Sequence, residues 1–269
     1  MCELFAMSSL LPTSVSFSLN KLARHGGADG PHRDGWGVAF YAGRDVFLLR
    51  EPSAASESDL VRYIEHHGPP SDLVVSHIRF ATFGERALRN TQPFTRELGG
   101  RQHVFAHNGD LAHTETLESP GRGCFVPVGE TDSEQAFCYF MNKLTALWEG
   151  ATEPPPLIQR LDAFNAFVDA IRELGSANLI YSDSDALFVH AHRRTEPGSE
   201  IVLPGLFVLS RNCEENVPDL SGSGVTLETA RQALTLIASV PLTGEDWHPL
   251  GEGEVLAIHD GMIVERSVA

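Results

Sequence analysis

Two long helical stretches lie back to back in the middle of this chain with strand patterns on both sides, and that order restricts the fold more than any other feature. Residues 136–148 follow a helix start at Thr131-Asp132-Ser133-Glu134, where Thr131 or Asp132 can cap and the acids favour the positive helix end. After a proline-broken connector at 153–156, residues 157–174 carry Leu161, Phe164, Phe167, Val168 and Ile171 at helical spacing. Ahead of this block, 4–7, 38–41, 45–50, 73–82 and 103–107 read as strands; behind it, 177–181, 186–192, 201–209, 234–240, 254–259 and 262–266 do. Asp260-Gly261 reads as a hairpin turn, and so does the glycine-containing 42–44. Strands, then helices, then strands, with no internal repeat, predict layers of sheet and helix rather than alternating β-α units. Two shorter helices are expected, one over 14–24 and one from a Ser56 or Ser58 cap to about His66.

With 269 residues, one domain over 1–269 with a substantial core is expected. The 36 acidic residues against 20 basic ones give a formal charge of -16, which repels nucleic-acid phosphates and anionic membrane surfaces and favours a small-molecule or protein partner. No apolar run approaches the ~20 residues of a membrane helix, and the N-terminus lacks a secretory layout, so a cytoplasmic location is expected. Cys2, Cys124, Cys138 and Cys213 show neither C-x-x-C nor zinc spacing. Reduced thiols are expected, with no metal and no cofactor, and all but Cys2 read as inert packing residues.

Four stretches carry possible chemistry. Removal of Met1 before so small a side chain would leave Cys2 with a thiol and an α-amine, a nucleophile and the base that can take its proton. Without that context Cys2 only begins a buried strand. Arg79 sits close to the apolar run of 73–82 and needs a carboxylate, either in an internal salt bridge or from a ligand. Asn108-Gly109 reads as a positive-φ turn; an amide beside a glycine N–H also offers two donors that can converge on one oxygen. Gly35 and Gly37 flank Trp36, so another backbone or a ligand is expected close by, with Trp36 either core or pocket wall. Asn90 to Phe94 reads as a loop able to fold over a pocket. His66-His67 reads as a solvated helix end, and His190 with His192 as surface or satisfied histidines rather than metal ligands.

In order along the chain, Cys2, Ser76-His77-Ile78-Arg79-Phe80-Ala81-Thr82, His107-Asn108-Gly109 and Thr131-Asp132-Ser133-Glu134 resemble class II glutamine amidotransferase domains, whose nucleophile is an N-terminal cysteine. Met1-Cys2-Glu3-Leu4, Asp34-Gly35-Trp36-Gly37, residues 90–98 and Gly129-Glu130-Thr131-Asp132 are similar to the small stand-alone YafJ-type members. The resemblance implies an α+β, four-layer αββα fold of the N-terminal-nucleophile hydrolase type. It also implies that Arg79 clamps the substrate carboxylate, that Thr82 contributes to the substrate site, and that Asp132 holds the ammonium. Cys2 would attack, and Asn108 with the Gly109 N–H would stabilise the tetrahedral oxygen. The implied ligand is glutamine or a related γ-glutamyl compound, with ammonia passed to water or to a separate acceptor protein. Gln92 stands where synthase-linked members often carry a histidine, so the loop over the substrate is expected to close differently. Retention of Met1 would instead favour a non-catalytic module that senses a γ-glutamyl ligand.

Overall fold

The apolar run Leu4-Phe5-Ala6-Met7 has no polar face to show to water, so both of its faces and both of its edges must be covered. The computed structural model describes residues 2–14, 32–117, 123–195, 201–202, 204–213 and 232–268, and in it β1 (Glu3–Thr13) occupies the middle of a seven-stranded sheet. Its companions are β2 (Trp36–Ala42), β3 (Asp45–Glu51), β4 (Ser71–Ile78), β11 (Phe207–Cys213), β12 (Gln232–Ala238) and β13 (His248–Pro249), in the order β13-β11-β12-β1-β4-β2-β3. A second sheet holds β5 (Phe94–Leu98), β6 (Arg101–Asn108), β7 (Asn178–Ser182), β8 (Leu187–His190), β14 (Glu254–His259) and β15 (Met262–Val268), in the order β15-β14-β8-β7-β6-β5. The short β9 (Arg194–Thr195) and β10 (Ile201–Val202) form a ribbon of their own. Pairing is antiparallel throughout the two sheets among the described residues.

Period-two alternation sends Leu4 and Ala6 of β1 into the space between the sheets and Phe5 and Met7 to the opposite face. Between the sheets they meet Val104, Ala106, Ile180 and Val189. On the outer face of the first sheet lies α1 (Asp59–His67), which buries Val61 and Ile64; Ser58 caps it, accepting from the Leu60 and Val61 N–H groups. Against the outer face of the second sheet lie α2 (Asp132–Trp148) and α3 (Leu157–Arg172), whose Phe137, Phe140, Phe164 and Phe167 pack with Phe105 and Tyr181. Three apolar layers separate four structural ones, so the expected α+β, αββα layering is what the chain builds. The expected helix over 14–24 lies, from residue 15 on, outside the described residues.

Several local expectations need correction. The strand expected over 73–82 ends at Ile78, because from Arg79 onward the chain leaves the ladder, although Arg79 N–H still donates to the Gly35 carbonyl at 2.8 Å. Residues 94–98, left in a loop by their turn-rich lead-in, form β5 on the edge of the second sheet. The stretch 201–209 divides at Pro204, which has no N–H to give a ladder. Cys124 is exposed rather than a packing residue, while Cys138 is buried; the side chain of Cys213 lies outside the described residues. Trp36 is core, 1 % exposed, with its indole N–H on Glu51. The close neighbour demanded at Gly37 is backbone: an added Cβ would stand 2.4 Å from the Gln92 carbonyl oxygen. His190 and His192 are buried: the Ala177 carbonyl accepts from His190 Nδ1 at 2.7 Å and the Ala177 N–H donates to His192 Nδ1 at 3.3 Å, while His190 Nε2 has no hydrogen-bond partner among the described residues, so that ring is only half satisfied.

Asn108-Gly109 is not the positive-φ turn that the dipeptide suggests. Asn108 completes β6 opposite Asn178, and glycine follows because the chain passes so near residue 176 that an added Cβ would lie 1.8 Å from the Ser176 carbonyl oxygen. Gly109→Ala is therefore expected to cost roughly 1–3 kcal/mol or more, read as a lower denaturant midpoint with an unchanged m-value. A second expectation concerns acid. Burial pushes the imidazoles of His77 and His190 down from 6.5 to about 3, so the folded protein holds both neutral where the unfolded chain would charge them. Their contribution is complete above about pH 6.5 and lost as pH falls toward 3. Urea midpoints should decline from pH 7 to pH 5, and His77→Leu should flatten that decline; an identical slope in the variant would refute this account.

Candidate active site

The position of Cys2 follows from strand register. Glu3 pairs with Ile78 and Leu4 with His77 across β1 and β4, so the residue before Glu3 arrives beside the residues after Ile78. The Cys2 sulfur accepts from the Phe80 N–H at 3.2 Å and its S–H donates to the Phe80 carbonyl at 3.3 Å. Burial pushes the thiol up to about 11, outweighing the Phe80 hydrogen bond and the nearby Arg79 charge, which pull it down. Met1 lies outside the described residues.

Arg79 is 4 % exposed and its guanidinium is wrapped by the loop that follows it. Nη2 donates to the carbonyls of Phe83 at 2.9 Å and Gly84 at 3.2 Å, and Nη1 to that of Glu85 at 3.1 Å. These carbonyls, rather than a salt-bridge carboxylate, are its hydrogen-bond partners. Thr82 donates its hydroxyl to Asp110 at 2.6 Å, tying the same loop to the segment after β6.

Asn108 projects from the end of β6 toward β1 and donates through Nδ2 to the carbonyl of Cys2 itself. Its own carbonyl accepts from Asn178 at 3.1 Å. Ser239 closes the arrangement: its hydroxyl oxygen accepts from Leu4 N–H at 3.0 Å and from Asn108 Nδ2 at 3.5 Å, and its N–H donates to the Leu4 carbonyl at 3.0 Å. Asp132 opens α2, with one carboxylate oxygen accepting from Leu111 N–H at 2.7 Å and the other from Ser133 N–H at 2.7 Å. Thr131, the cap, accepts from Glu134 N–H at 3.3 Å, and Glu134 reaches back to the Gly129 N–H at 2.7 Å. The helix start that explained this tetrad structurally is real, and it also fixes the direction of Asp132.

Cys2, Arg79, Thr82, Gly109 and Asp132 all line one small cavity of about 30 Å³. Asn108 does not line it; it stands directly behind, acting on the Cys2 carbonyl. Two further lining residues, Gln92 and His107, form a clamp: Gln92 donates to the His107 carbonyl at 3.2 Å and accepts from the His107 N–H at 2.6 Å. That double bond explains why the 90–94 loop folds over the cavity without a histidine at position 92. His107 Nε2 donates to the Ser176 carbonyl at 3.1 Å, which leaves Nδ1 to accept from Ser133 at 2.9 Å. Phe80 and His107 were within reach of sequence reasoning as neighbours of Arg79 and Asn108. Ser239 gave no signal, being 235 residues from the strand it holds.

The family model of the class-II glutamine amidotransferases matches residues 1–268. YafJ of Escherichia coli (strain K12) is 37% identical over 260 residues, covering 94% of this chain and 96% of YafJ. A crystal structure from Pseudomonas aeruginosa PA01, described as a predicted glutamine amidotransferase, superposes with a TM-score of 0.69 at 33% identity over 98% of this chain and all of that one. The glutamine phosphoribosylpyrophosphate amidotransferase of Bacillus subtilis aligns with 99% of this chain and 49% of its own at a TM-score of 0.61; at 14% identity it shares the fold alone. The αββα layering is the fold the chain shares with that amidotransferase, and the chain belongs to the class II glutamine amidotransferases.

Proposed function

We propose that residues 1–269 act as one glutamine amidotransferase type 2 domain, located in the cytoplasm, that releases ammonia from glutamine through a thioester on Cys2. The observation that carries this reading is the convergence of a thiol, a guanidinium and a carboxylate on one cavity, the three groups that an amino acid with a scissile side-chain amide requires. Arg79 takes the α-carboxylate, Asp132 the α-ammonium, and Thr82 helps to position the head group. The Cys2 sulfur attacks the carbonyl carbon of the side-chain amide while the Gly109 N–H, joined by the Asn108 amide once that amide leaves the Cys2 carbonyl, stabilises the oxygen that gains charge.

With Met1 in place, burial raises the Cys2 thiol to about 11 and keeps it protonated at pH 7. Attack therefore needs a base at the sulfur, and the α-amine of Cys2, freed by removal of Met1, supplies it within the same residue. The departing ammonia takes the proton that this amine received, and water cleaves the thioester to glutamate. Ammonia then enters water or passes to a separate acceptor protein.

Protein lacking Met1 should release ammonia from glutamine, with a fall of at least about a thousandfold in Cys2→Ala, on the scale of losing a nucleophile. Release that survives in Cys2→Ala would sink the mechanism. In protein that keeps Met1, alkylation of Cys2 by iodoacetamide should climb steeply with pH and reach half its maximal rate near pH 11; a plateau already attained at pH 8 would show that burial does not control the thiol.

A further inference from the structure

The cavity at Cys2, about 30 Å³, has the share of liquid volume that belongs to one water. It leaves no room for a long substituent on the amide nitrogen, which must extend beyond it. Next to it, sharing Phe83 and Asp132 as walls, is a cavity of about 480 Å³, within the ~300–1,000 Å³ typical of small-molecule sites. The hydrogen bond from Thr82, which lines the small cavity, to Asp110, which lines the large one, bridges the two.

The walls of the larger cavity divide by chemistry. Phe83, Leu111 and Ala112 offer apolar surface, while Asp110, Glu115, Glu130 and Asp132 bring carboxylates, and among the described residues no lysine or arginine lines it. Glu130 is already paired with Arg89 at 2.8 Å and Asp132 is assigned to the α-ammonium, so the negative charge left for a second cation belongs chiefly to Asp110 and Glu115. Among the described residues the ion-pair partner of Glu115 is His113, at 3.2 Å. An apolar floor ending in carboxylates fits an alkyl chain that ends in a cation.

We propose that the preferred ligand of this protein is a γ-glutamyl amide whose nitrogen carries an alkyl chain with a terminal ammonium, a γ-glutamyl diamine or polyamine, with that chain in the larger cavity. This rests on the function proposed above: with the α-carboxylate on Arg79 and the α-ammonium on Asp132, the amide nitrogen is where a glutamine-like molecule can grow. The chemistry is unchanged. Sulfur bonds to the carbonyl carbon of the side-chain amide, that carbon's bond to nitrogen breaks, and the departing amine takes the proton held by the Cys2 amine. Water then adds hydroxyl to the acyl carbon and returns a proton to sulfur, giving glutamate and the free diamine.

The test is equilibrium binding to the Cys2→Ala protein, which cannot turn over its ligand. Two probes are compared, γ-glutamyl-1,4-diaminobutane and its neutral near-isostere, the γ-glutamyl n-pentylamide. The cationic probe should bind about tenfold more tightly, a preference that declines with added salt, shrinks in Glu115→Gln and disappears in Glu115→Lys. Equal affinities, no binding of either probe, or a preference indifferent to Glu115→Lys would overturn the inference. Glutamine hydrolysis by the unsubstituted protein is read separately. Hydrolysis without the cation preference defeats this inference alone, and the preference without hydrolysis defeats the amidohydrolase reading alone.

Discussion

The structure depends on the register between β1 and β4. Because Glu3 lies opposite Ile78 and Leu4 opposite His77, the second residue of the chain is delivered to the mouth of the space between two sheets, against the backbone of Phe80. A slip of one residue would turn Leu4 and Ala6 out of the inter-sheet core and Phe5 and Met7 into it, reversing both apolar faces at once. The burial of those four side chains therefore fixes the place of the sulfur, and catalysis inherits its geometry from core packing.

The same depth shapes the chemistry. Taking the Cys2 thiol away from water suppresses its ionisation, so an exposed, spontaneously reactive thiolate is replaced by one that needs a base beside it. Around it, most polar groups are already tied to backbone. Arg79 rests on three carbonyls, Asp132 accepts two N–H groups, and Gln92 is clamped to both sides of the His107 peptide links. Groups held in this way lose little freedom when a ligand arrives, which is the physical content of preorganisation. The Asn108 amide on the Cys2 carbonyl joins the nucleophile's own backbone to the second sheet, so the two halves of the sandwich are coupled at the reacting residue.

Much of this was legible in advance for reasons that can be named. The helices of the middle block are long and strongly periodic, and Ser58 and Thr131 cap where their side chains must. Strands with apolar runs were found, whereas β5 was missed because its lead-in of turn residues and its polar Thr95, Arg96 and Glu97 carry no core signal at a sheet edge. Asn108-Gly109 was misread as a turn since local preference cannot register that a carbonyl from residue 176 passes where a Cβ would be. The carbonyl partners of Arg79 could not be anticipated either, because backbone acceptors exist at every position and only the path of the chain selects three of them.

By itself the sequence determined which residue types were available: a cysteine that can acquire an amine, an arginine beside a strand, an asparagine before glycine, an aspartate at a helix start, and the periodicities that layer sheet and helix. Side-chain chemistry and local spacing are properties of the chain alone, so they are readable without a fold. Only the tertiary structure decided that the cysteine, the arginine, the glycine and the aspartate share a cavity while Asn108 stands behind it, that Ser239 secures the first strand from the far end of the chain, and that a larger acidic chamber opens beside Cys2. Those outcomes are set by long-range packing and by the desolvation that follows from it, and distance along the chain carries no information about either.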